Sequence, residues 1–234
     1  MTRPGRSPDP AKPVAGEAMT RPGRSPEGAR LLPDDASGRA EAVAALRAGG
    51  IVAMPTDTVY GVAVALDAPD GLQRLFAAKD RPLDRAIVLL VADLEQAASV
   101  GVFSSAARAL AERFWPGGLT LVLAQAPAAG LPAELTGGAA TIGVRVPDHD
   151  CPRELARALG PLPVTSANLS GRPAAADASG VLAQLGPRID LVLDGGTARG
   201  GVASTVVDCS GEAPKVLRQG AIPTTEIAEV LGGI

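Results

Sequence analysis

From about residue 35 onward, apolar and polar positions follow two periods that alternate along the chain. Short apolar runs bounded by glycine or polar residues predict buried strands, over residues 51–54, 59–66, 86–92, 119–125, 141–146, 163–165, 190–193, 204–208 and 215–217. Apolar positions three or four residues apart predict helices, over residues 35–48, 70–79, 104–114, 152–159, 177–185 and 224–231. Asp70 is the expected N-cap of the second of these helices. This order predicts one α/β domain with a twisted mixed sheet and flanking helices.

Residues 1–30 have a different composition from the rest of the chain. They are rich in Pro, Gly, Arg and Ser, and Met1–Pro8 recurs as Met19–Pro26. Such a composition predicts a disordered extension, and each copy begins with a possible start methionine. The alternative is an arginine-bearing arm that touches RNA, which the low charge density disfavours.

Composition excludes several classes of protein. The formal net charge of −3 means that any anion site must come from local clustering. Two cysteines and one histidine are too few for a transition-metal or redox site. The sequence has neither an apolar run of roughly 18 to 20 residues nor a secretory signal. We therefore expect a cytoplasmic protein with no membrane segment and no metal ligand set of its own.

Three polar residues interrupt an apolar stretch in which a strand would otherwise continue. Thr56, Asp57 and Thr58 lie within Pro55–Gly61, where hydrogen-bonding side chains are costly unless they face a ligand or form a turn. Taken alone, the run favours a hydrogen-bonded turn between two strands.

Lys79 and Arg81 flank Asp80 and are followed by Pro82. Because Pro82 disfavours continuation of the helix, we expect an extended segment in which residues two apart point to the same side. Both cations can then face one anion, and a lysine with an arginine suits a polyphosphate. The alternative is a solvated helix end, where cations meet the negative pole of the helix dipole.

An arginine near the end of a predicted strand needs a partner. The alternation places Thr141, Gly143 and Arg145 on one face of the strand over residues 141–146. A buried guanidinium is stable only when it is paired. Asp148 or Asp150 can supply the carboxylate, and so can a ligand.

Small hydrogen-bonding residues begin or follow two further predicted strands. Ser166 and Asn168 lie in a loop typical of ligand sites, and Ser204 follows a glycine-rich segment. The sequence contains no P-loop, no Gly-x-Gly-x-x-Gly fingerprint and no nucleophile elbow with Asp and His partners. The chemistry that remains depends on positioning and charge neutralisation rather than on a covalent nucleophile.

Seven ordered motifs between residues 36 and 223 resemble those of the YrdC-like L-threonylcarbamoyladenylate synthases. They are Pro55–Gly61, Lys79–Pro82, Phe114–Thr120, Gly143–Pro147, Ser166–Gly171, Ala203–Asp208 and Val216–Gly220. The resemblance covers most of the chain. It implies a YrdC-like catalytic domain over residues 31–234, with a twisted sheet and a concave, positively charged face.

The activity implied by the resemblance is that of a nucleotidyltransferase. Such an enzyme joins L-threonine, bicarbonate and ATP into threonylcarbamoyl-adenylate and releases pyrophosphate. A partner complex then transfers the threonylcarbamoyl group to the adenosine at position 37 of tRNA. Mg²⁺ is expected with ATP, held mainly by phosphate oxygens and water.

The resemblance also implies two groups of site residues. Those implied to bind ATP are Lys79, Arg81, Ser166, Asn168 and Arg218, and the first two are also implied to be catalytic. Those implied to hold threonine are Thr56, Thr141, Arg145 and Ser204, with Arg145 on the carboxylate. One departure from the family pattern follows Arg81, because Ala86 and Ile87 stand where members usually have Pro-Leu. No charged group is lost there, but the loop is expected to be less rigid.

Two alternative functions stay open. One is the carbamoyl-transfer domain of hydrogenase-maturation proteins, which the chain's length and its two cysteines disfavour. The other is a double-stranded-RNA or ribosome-binding module, which the net charge of −3 disfavours. Direct RNA binding is therefore expected to be weak.

Overall fold

The computed structural model describes residues 28–82 and 86–232. Short apolar runs in these residues form the strands of one sheet. The strands are β1 (Arg30–Pro33), β2 (Val52–Met54), β3 (Gly61–Ala63), β4 (Val88–Leu90), β5 (Gly101–Val102), β6 (Leu119–Gln125), β7 (Thr141–Arg145), β8 (Leu162–Ser166), β9 (Leu191–Asp194), β10 (Thr205–Asp208) and β11 (Lys215–Arg218). The helices are α1 (Ala36–Arg47), α2 (Gly71–Ala78), α3 (Leu94–Val100), α4 (Ser105–Phe114), α5 (Ala133–Thr136), α6 (Asp150–Leu159), α7 (Ala178–Leu185) and α8 (Thr224–Val230).

The strand order confirms the predicted mixed sheet. The 11-stranded sheet of the described residues runs β1-β9-β2-β3-β8-β4-β7-β6-β10-β11, and β5 pairs with β6. Parallel pairs such as β4 with β7 and β6 with β10 alternate with antiparallel pairs such as β3 with β8 and β6 with β7. Because strands that are neighbours in the sheet can be far apart in the sequence, motifs that are separate in the chain come together at the sheet.

Helices α1 and α6 pack together and cover one half of one face of the sheet. Leu46 of α1 and Leu155 of α6 are fully buried there, in a core with Met54, Leu162 and Leu193. A larger core on the opposite face contains residues of α2, α4, α7 and α8. The sheet therefore separates two apolar layers.

The other half of the α1/α6 face is left open. Val164 belongs to the α1/α6 core, and its register partner Val88 lies opposite Gly143, so all three share that face. Val88 and Gly143 are only half-buried, as is Val206 farther along the sheet. The open half of this face is where a ligand can reach the strands.

Three helices follow residues whose side chains cap them, and each of these residues begins a predicted helix. Asp35, Ser104 and Asp177 each accept a hydrogen bond from the backbone N–H three residues on, at 2.8, 3.2 and 2.7 Å. The prediction that Asp70 caps α2 is wrong, because its φ of 51° is left-handed and its side chain makes no capping bond. An N-cap side chain bonds the helix from an extended backbone, which Asp70 does not adopt.

Several short elements differ from the sequence prediction. β1, α3, β5 and α5 are not predicted, since each is too short to show a clear period. The strand predicted over residues 59–66 is limited to β3, because the polar turn before it keeps its own hydrogen bonds. Of the extension predicted over residues 1–30, residues 1–27 lie outside the described residues, and Arg30 already pairs with Leu191.

No helix in the described part of the chain is both long enough and apolar enough to cross a membrane.

Candidate anion-binding site

A cavity of about 340 Å³ lies at the open half of the sheet face. Its apolar floor comes from β3, β4, β8 and β10. The described polar residues that line it are Thr56, Thr58, Tyr60, Arg81, Thr120, Arg145, Thr165, Ser166, Asn168, Arg172, Ser204 and Arg218. Residues from seven separate parts of the chain therefore share one cavity.

Most of the site residues predicted from the sequence meet in this cavity. Those that line it are Thr56, Arg81, Arg145, Ser166, Asn168, Ser204 and Arg218. Lys79 and Thr141 are not among the described lining residues. Thr141 shares a face of β7 with Arg145 but lies four residues away, about 13 Å along the strand.

The cavity has a one-sided charge. Arg81, Arg145, Arg172 and Arg218 line it, whereas none of its described lining residues is acidic. A concave site with charges of one sign and low-dielectric walls concentrates ligands of the opposite charge. The cavity therefore favours anions, although the chain as a whole is acidic.

The polar run at the start of the site is both a turn and a cavity wall. Thr56 Oγ1 donates to the carbonyl of Val59 at 2.6 Å and accepts from the backbone N–H of Thr58 at 3.1 Å. The two threonine hydroxyls are also 3.1 Å apart. The hydrogen-bonded turn predicted for this run is confirmed, and both threonines nevertheless face the cavity.

Arg145 pairs with Asp57, and the predicted partners Asp148 and Asp150 are wrong. Its Nη2 donates to Asp57 Oδ1 at 2.6 Å, and the two side chains are 7% and 11% exposed. Nη1 donates to Thr58 Oγ1 at 2.8 Å and Nε donates to the carbonyl of Gly117 at 2.9 Å. The turn between β2 and β3 reaches the end of β7 although β8 and β4 lie between β3 and β7 in the sheet, which local sequence does not reveal.

The guanidinium of Arg145 keeps capacity for a ligand. An arginine has five N–H donors, and these three bonds use three of them. Burial lowers the pKa of Arg145, while the adjacent Asp57 carboxylate opposes this shift. A guanidinium is not deprotonated in proteins, so Arg145 can still donate to a carboxylate.

Lys79 lies behind the cavity wall rather than in it. Only 1% of the residue is exposed, and Nζ donates to the backbone carbonyls of Ser166 and Asn168. The predicted extended segment is wrong, because Lys79 has helical dihedrals and Asp80 has a left-handed φ of 50°. Lys79 and Arg81 therefore do not point to one side. Arg81 lines the cavity and donates to the carbonyl of Ala86 at 2.9 Å.

The burial of Lys79 predicts a pH-dependent stability. Burial and, secondarily, the charge of Arg81 lower the pKa of Lys79 to about 7. In the unfolded chain the pKa returns to about 10.4, so the unfolded state binds more protons between these values. Below about pH 7 Lys79 is charged in both the folded and the unfolded chain, so the folded state carries the full cost of burying that charge. Above about pH 10.4 the amine is neutral in both states and this cost is absent. The contribution of Lys79 to the free energy of unfolding should therefore rise as the pH rises from about 7 to about 10.4.

Lys79→Met tests this by removing the titrating group at similar side-chain volume. We expect the free energy of unfolding of the unmodified protein to rise, relative to the variant, between pH 6.5 and pH 9 in urea titrations. Equal pH dependence of the two proteins would mean that Lys79 keeps an ordinary pKa. The variant also leaves two carbonyls without a donor, so only the pH slope is diagnostic.

Asn168 lines the cavity, and its amide donors are used within its own loop. Its Nδ2 donates to the carbonyls of Leu169 and Arg172, both at 2.8 Å, and two acceptors fix the orientation of the amide. Oδ1 is buried and has no hydrogen-bond partner among the described residues. A buried acceptor without a donor is costly, which points to a ligand atom that satisfies it.

Ser204 and Arg218 form the far side of the cavity. Arg218 Nη2 donates to the carbonyl of Ser204 at 2.8 Å and lies 3.3 Å from its hydroxyl. The hydroxyls of Ser204 and Thr120 are 2.8 Å apart. Parallel pairing of β10 with β6 places these residues side by side, and Arg218 of β11 lies opposite Val206.

Sequence reasoning missed several lining residues. Thr120 and Arg172 belong to or adjoin recognised motifs but carry no separate signal. Tyr60 donates to the carbonyl of Gly196 at 2.7 Å and accepts from the N–H of Gly195 at 3.1 Å. Its hydroxyl therefore ties the cavity wall to the segment after β9. Tyr60 is the only tyrosine in the sequence, but this fact alone does not predict that it lines the cavity.

The fold and the cavity define a class of protein with an arginine-lined, hydroxyl-rich site on the open face of a mixed sheet. The family model Sua5_yciO_yrdC, described as "Telomere recombination", matches residues 44–220. The chain therefore belongs to the Sua5/YciO/YrdC family.

Named relatives and a solved structure agree with this membership. Threonylcarbamoyl-AMP synthase of Bacillus subtilis (strain 168) is 40% identical over 197 residues, which are 83% of this chain and 57% of the relative. Threonylcarbamoyl-AMP synthase of Vibrio cholerae serotype O1 is 37% identical over 188 residues, covering 77% of this chain and 96% of the relative. The crystal structure of P. abyssi Sua5 complexed with L-threonine aligns with a TM-score of 0.82 at 35% identity, over 88% of this chain and 61% of that one. The chain thus spans little more than half of some relatives and nearly all of others.

Proposed function

We propose that this chain is an L-threonylcarbamoyladenylate synthase, which forms threonylcarbamoyl-AMP and pyrophosphate from L-threonine, bicarbonate and ATP. The observation that carries the proposal is the meeting of the cations Arg81, Arg145 and Arg218 with hydroxyl donors in one cavity. At neutral pH, ATP and bicarbonate are anions and threonine carries a carboxylate, and the described lining residues include no acid to repel these groups.

We assign threonine to the side of the cavity formed by β7, β6 and the Thr56–Thr58 turn. Arg145 is fixed by Asp57 and Thr58 and retains N–H donors for the amino acid carboxylate. Thr56 and Ser204 line the same cavity and offer hydroxyls to the substrate. Thr141 is not among the described residues that line the cavity, so it can contact only a ligand that extends beyond the cavity.

We assign the nucleotide phosphates to Arg81, Ser166 and Arg218, with Lys79 behind them. Lys79 binds the carbonyls of Ser166 and Asn168, so it fixes the loop that these residues form. Its role at the site is then to hold that loop in place. An anion brought close to Lys79 would favour the charged form of its amine.

The reaction needs two steps that the cavity can serve. The threonine amine and bicarbonate form a carbamate with loss of water, and a carbamate oxygen then attacks the α-phosphorus of ATP. The bond from that phosphorus to the bridging oxygen breaks, and pyrophosphate leaves. Both reactants are anions, so fixed guanidinium groups lower the barrier by holding them together and neutralising charge.

Mg²⁺ is proposed as the companion of ATP. Among the described residues no group of three or more His, Cys, Asp or Glu is placed to hold a metal ion, which fits an ion carried by phosphates. The unpartnered Oδ1 of Asn168 is a neutral oxygen that could coordinate Mg²⁺ or accept a hydrogen bond from a water bound to it. We propose that Asn168 holds the ion through this atom. When bound, the ion would neutralise charge on the phosphates.

Two further parts of the proposal concern partners and location. We propose that the product serves a tRNA threonylcarbamoyl-transfer complex, which completes N6-threonylcarbamoyladenosine at position 37. A cytoplasmic location suits that role. A double-stranded-RNA or ribosome-binding function and a carbamoyl-transfer function are weaker alternatives, because the relatives named above, at 40% and 37% identity, are threonylcarbamoyl-AMP synthases.

Pyrophosphate release from the purified chain tests the proposal. Four mixtures are compared: all three substrates, and three mixtures that each omit one of them. We expect release only in the complete mixture. Release without threonine would show another acceptor and contradict the proposed activity.

A further inference from the structure

We propose that Arg172 is a further substrate-binding residue, which contacts the pyrophosphate portion of ATP; this inference rests on the proposed function. Arg172 follows the Ser166–Gly171 motif and lines the cavity. Its guanidinium makes no hydrogen bond or ion pair with other described residues, unlike those of Arg145 and Arg218. The residue is exposed, so ligand phosphates can reach its five donors.

The backbone of Arg172 is fixed although its side chain is free. Its N–H donates to the carbonyl of Leu169 at 3.0 Å, and its carbonyl accepts from Asn168 Nδ2 at 2.8 Å. Gly171 supplies the left-handed φ of 81° that this tight loop requires. Asn168 therefore holds the backbone of Arg172 in place. When Arg172 binds an anion, only the conformational freedom of its side chain is lost.

The position of Arg172 relative to the threonine side favours the leaving group over the α-phosphate. Arg172 follows β8, whereas Arg145 belongs to β7, and β8 and β7 are two strands apart, about 10 Å across the sheet. In-line displacement places the leaving pyrophosphate opposite the attacking carbamate. Because the carbamate belongs to threonine, the pyrophosphate should lie on the β8 side, where Arg81 also lines the cavity.

The charge of the cavity agrees with this assignment. Arg145 is paired with Asp57, so its charge is compensated before any ligand binds. Arg172 adds an uncompensated charge at a site that must stabilise a highly charged leaving group. Arginine binds phosphate oxygens through two parallel N–H donors, which favours it for this contact.

The test measures binding of ATP, AMP and inorganic pyrophosphate to the full chain and to Arg172→Ala. The loss of a charge-assisted contact should weaken binding of ATP and pyrophosphate by about 10-fold to 100-fold. Affinity for AMP should stay within about twofold of the unmodified protein. Arg157→Ala is the matched control, because Arg157 is an exposed arginine on α6 outside the cavity lining.

Arg172→Lys should recover part of the affinity, since it restores the charge without the fork of donors. Unchanged affinity of Arg172→Ala for pyrophosphate would overturn the inference, and so would a parallel loss for AMP. If the unmodified protein bound neither ATP nor pyrophosphate, the proposed function itself would fail. Thermal unfolding of each variant shows that the fold is intact.

Discussion

Arg145→Ala is expected to raise the threonine concentration needed for half-maximal turnover by about 100-fold, with a much smaller change for ATP. The variant removes the donors proposed for the threonine carboxylate. It also leaves Asp57 nearly buried without its partner, which costs about 3 kcal/mol or more of stability. Initial rates at varied threonine and saturating ATP measure the first effect, and urea titration measures the second.

The double variant Asp57→Ala/Arg145→Ala separates these two effects. Because it removes both members of the pair, it should recover stability relative to Arg145→Ala alone. It should not recover threonine affinity, since the guanidinium is still missing. A larger rise in the ATP requirement than in the threonine requirement would contradict the assignment of Arg145.

Lys79→Ala is expected to slow formation of threonylcarbamoyl-AMP by about 100-fold or more. The loss removes the ammonium that holds the carbonyls of Ser166 and Asn168, so the nucleotide side of the cavity loses its order. The ATP requirement should rise, whereas the threonine requirement should change little. Steady-state kinetics with each substrate varied in turn provide the measurement.

Lys215→Ala is the matched control for Lys79→Ala. Lys215 is an exposed lysine of β11 and is not among the described residues that line the cavity. Its replacement should leave both substrate requirements unchanged. An undiminished rate in Lys79→Ala would show that neither the ammonium nor the loop it holds matters for the reaction.

The sequence predicts the elements better than it predicts the contacts between them. Apolar periodicity indicates the strands that form the sheet, and two predicted helices begin at Asp35 and Asp177, which the structure shows to be capping residues. Asp57 pairs with Arg145 across 88 residues, and no local pattern encodes that distance. Asp148 and Asp150 are plausible partners in the sequence because they lie close to Arg145 along the chain. The order of strands in the sheet, which brings Asp57 to Arg145, cannot be read from the sequence.

Lys79 shows a second limit of prediction from local pattern. The Pro82 rule predicts an extended segment, but the left-handed backbone of Asp80 turns the chain and sends Lys79 into the protein. Burial of a lysine depends on the two carbonyls that receive it, and these belong to a loop after β8. The position of Lys79 behind the cavity wall changes the role proposed for it, from direct contact with the nucleotide to support of the loop after β8.

The predicted basic and concave character of the sheet face as a whole remains a prediction. The structure shows a smaller feature than a basic face, which is a cavity whose described lining residues include four arginines and no acid. Seven of the nine residues implied by the resemblance line it. Motif order could predict most of this set, because six of the seven motifs end or begin a strand of one sheet, and Lys79–Pro82 follows α2. Arg172 required the loop geometry.

The most direct test of the proposed activity is the identity of the product. The purified chain is incubated with ATP, L-threonine and bicarbonate labelled with carbon-13, and the products are resolved by mass spectrometry. We predict an AMP conjugate that contains threonine and one labelled carbon, in equal amount to the pyrophosphate released. An AMP conjugate of threonine without the label, or pyrophosphate with no threonine conjugate, would contradict the proposed function.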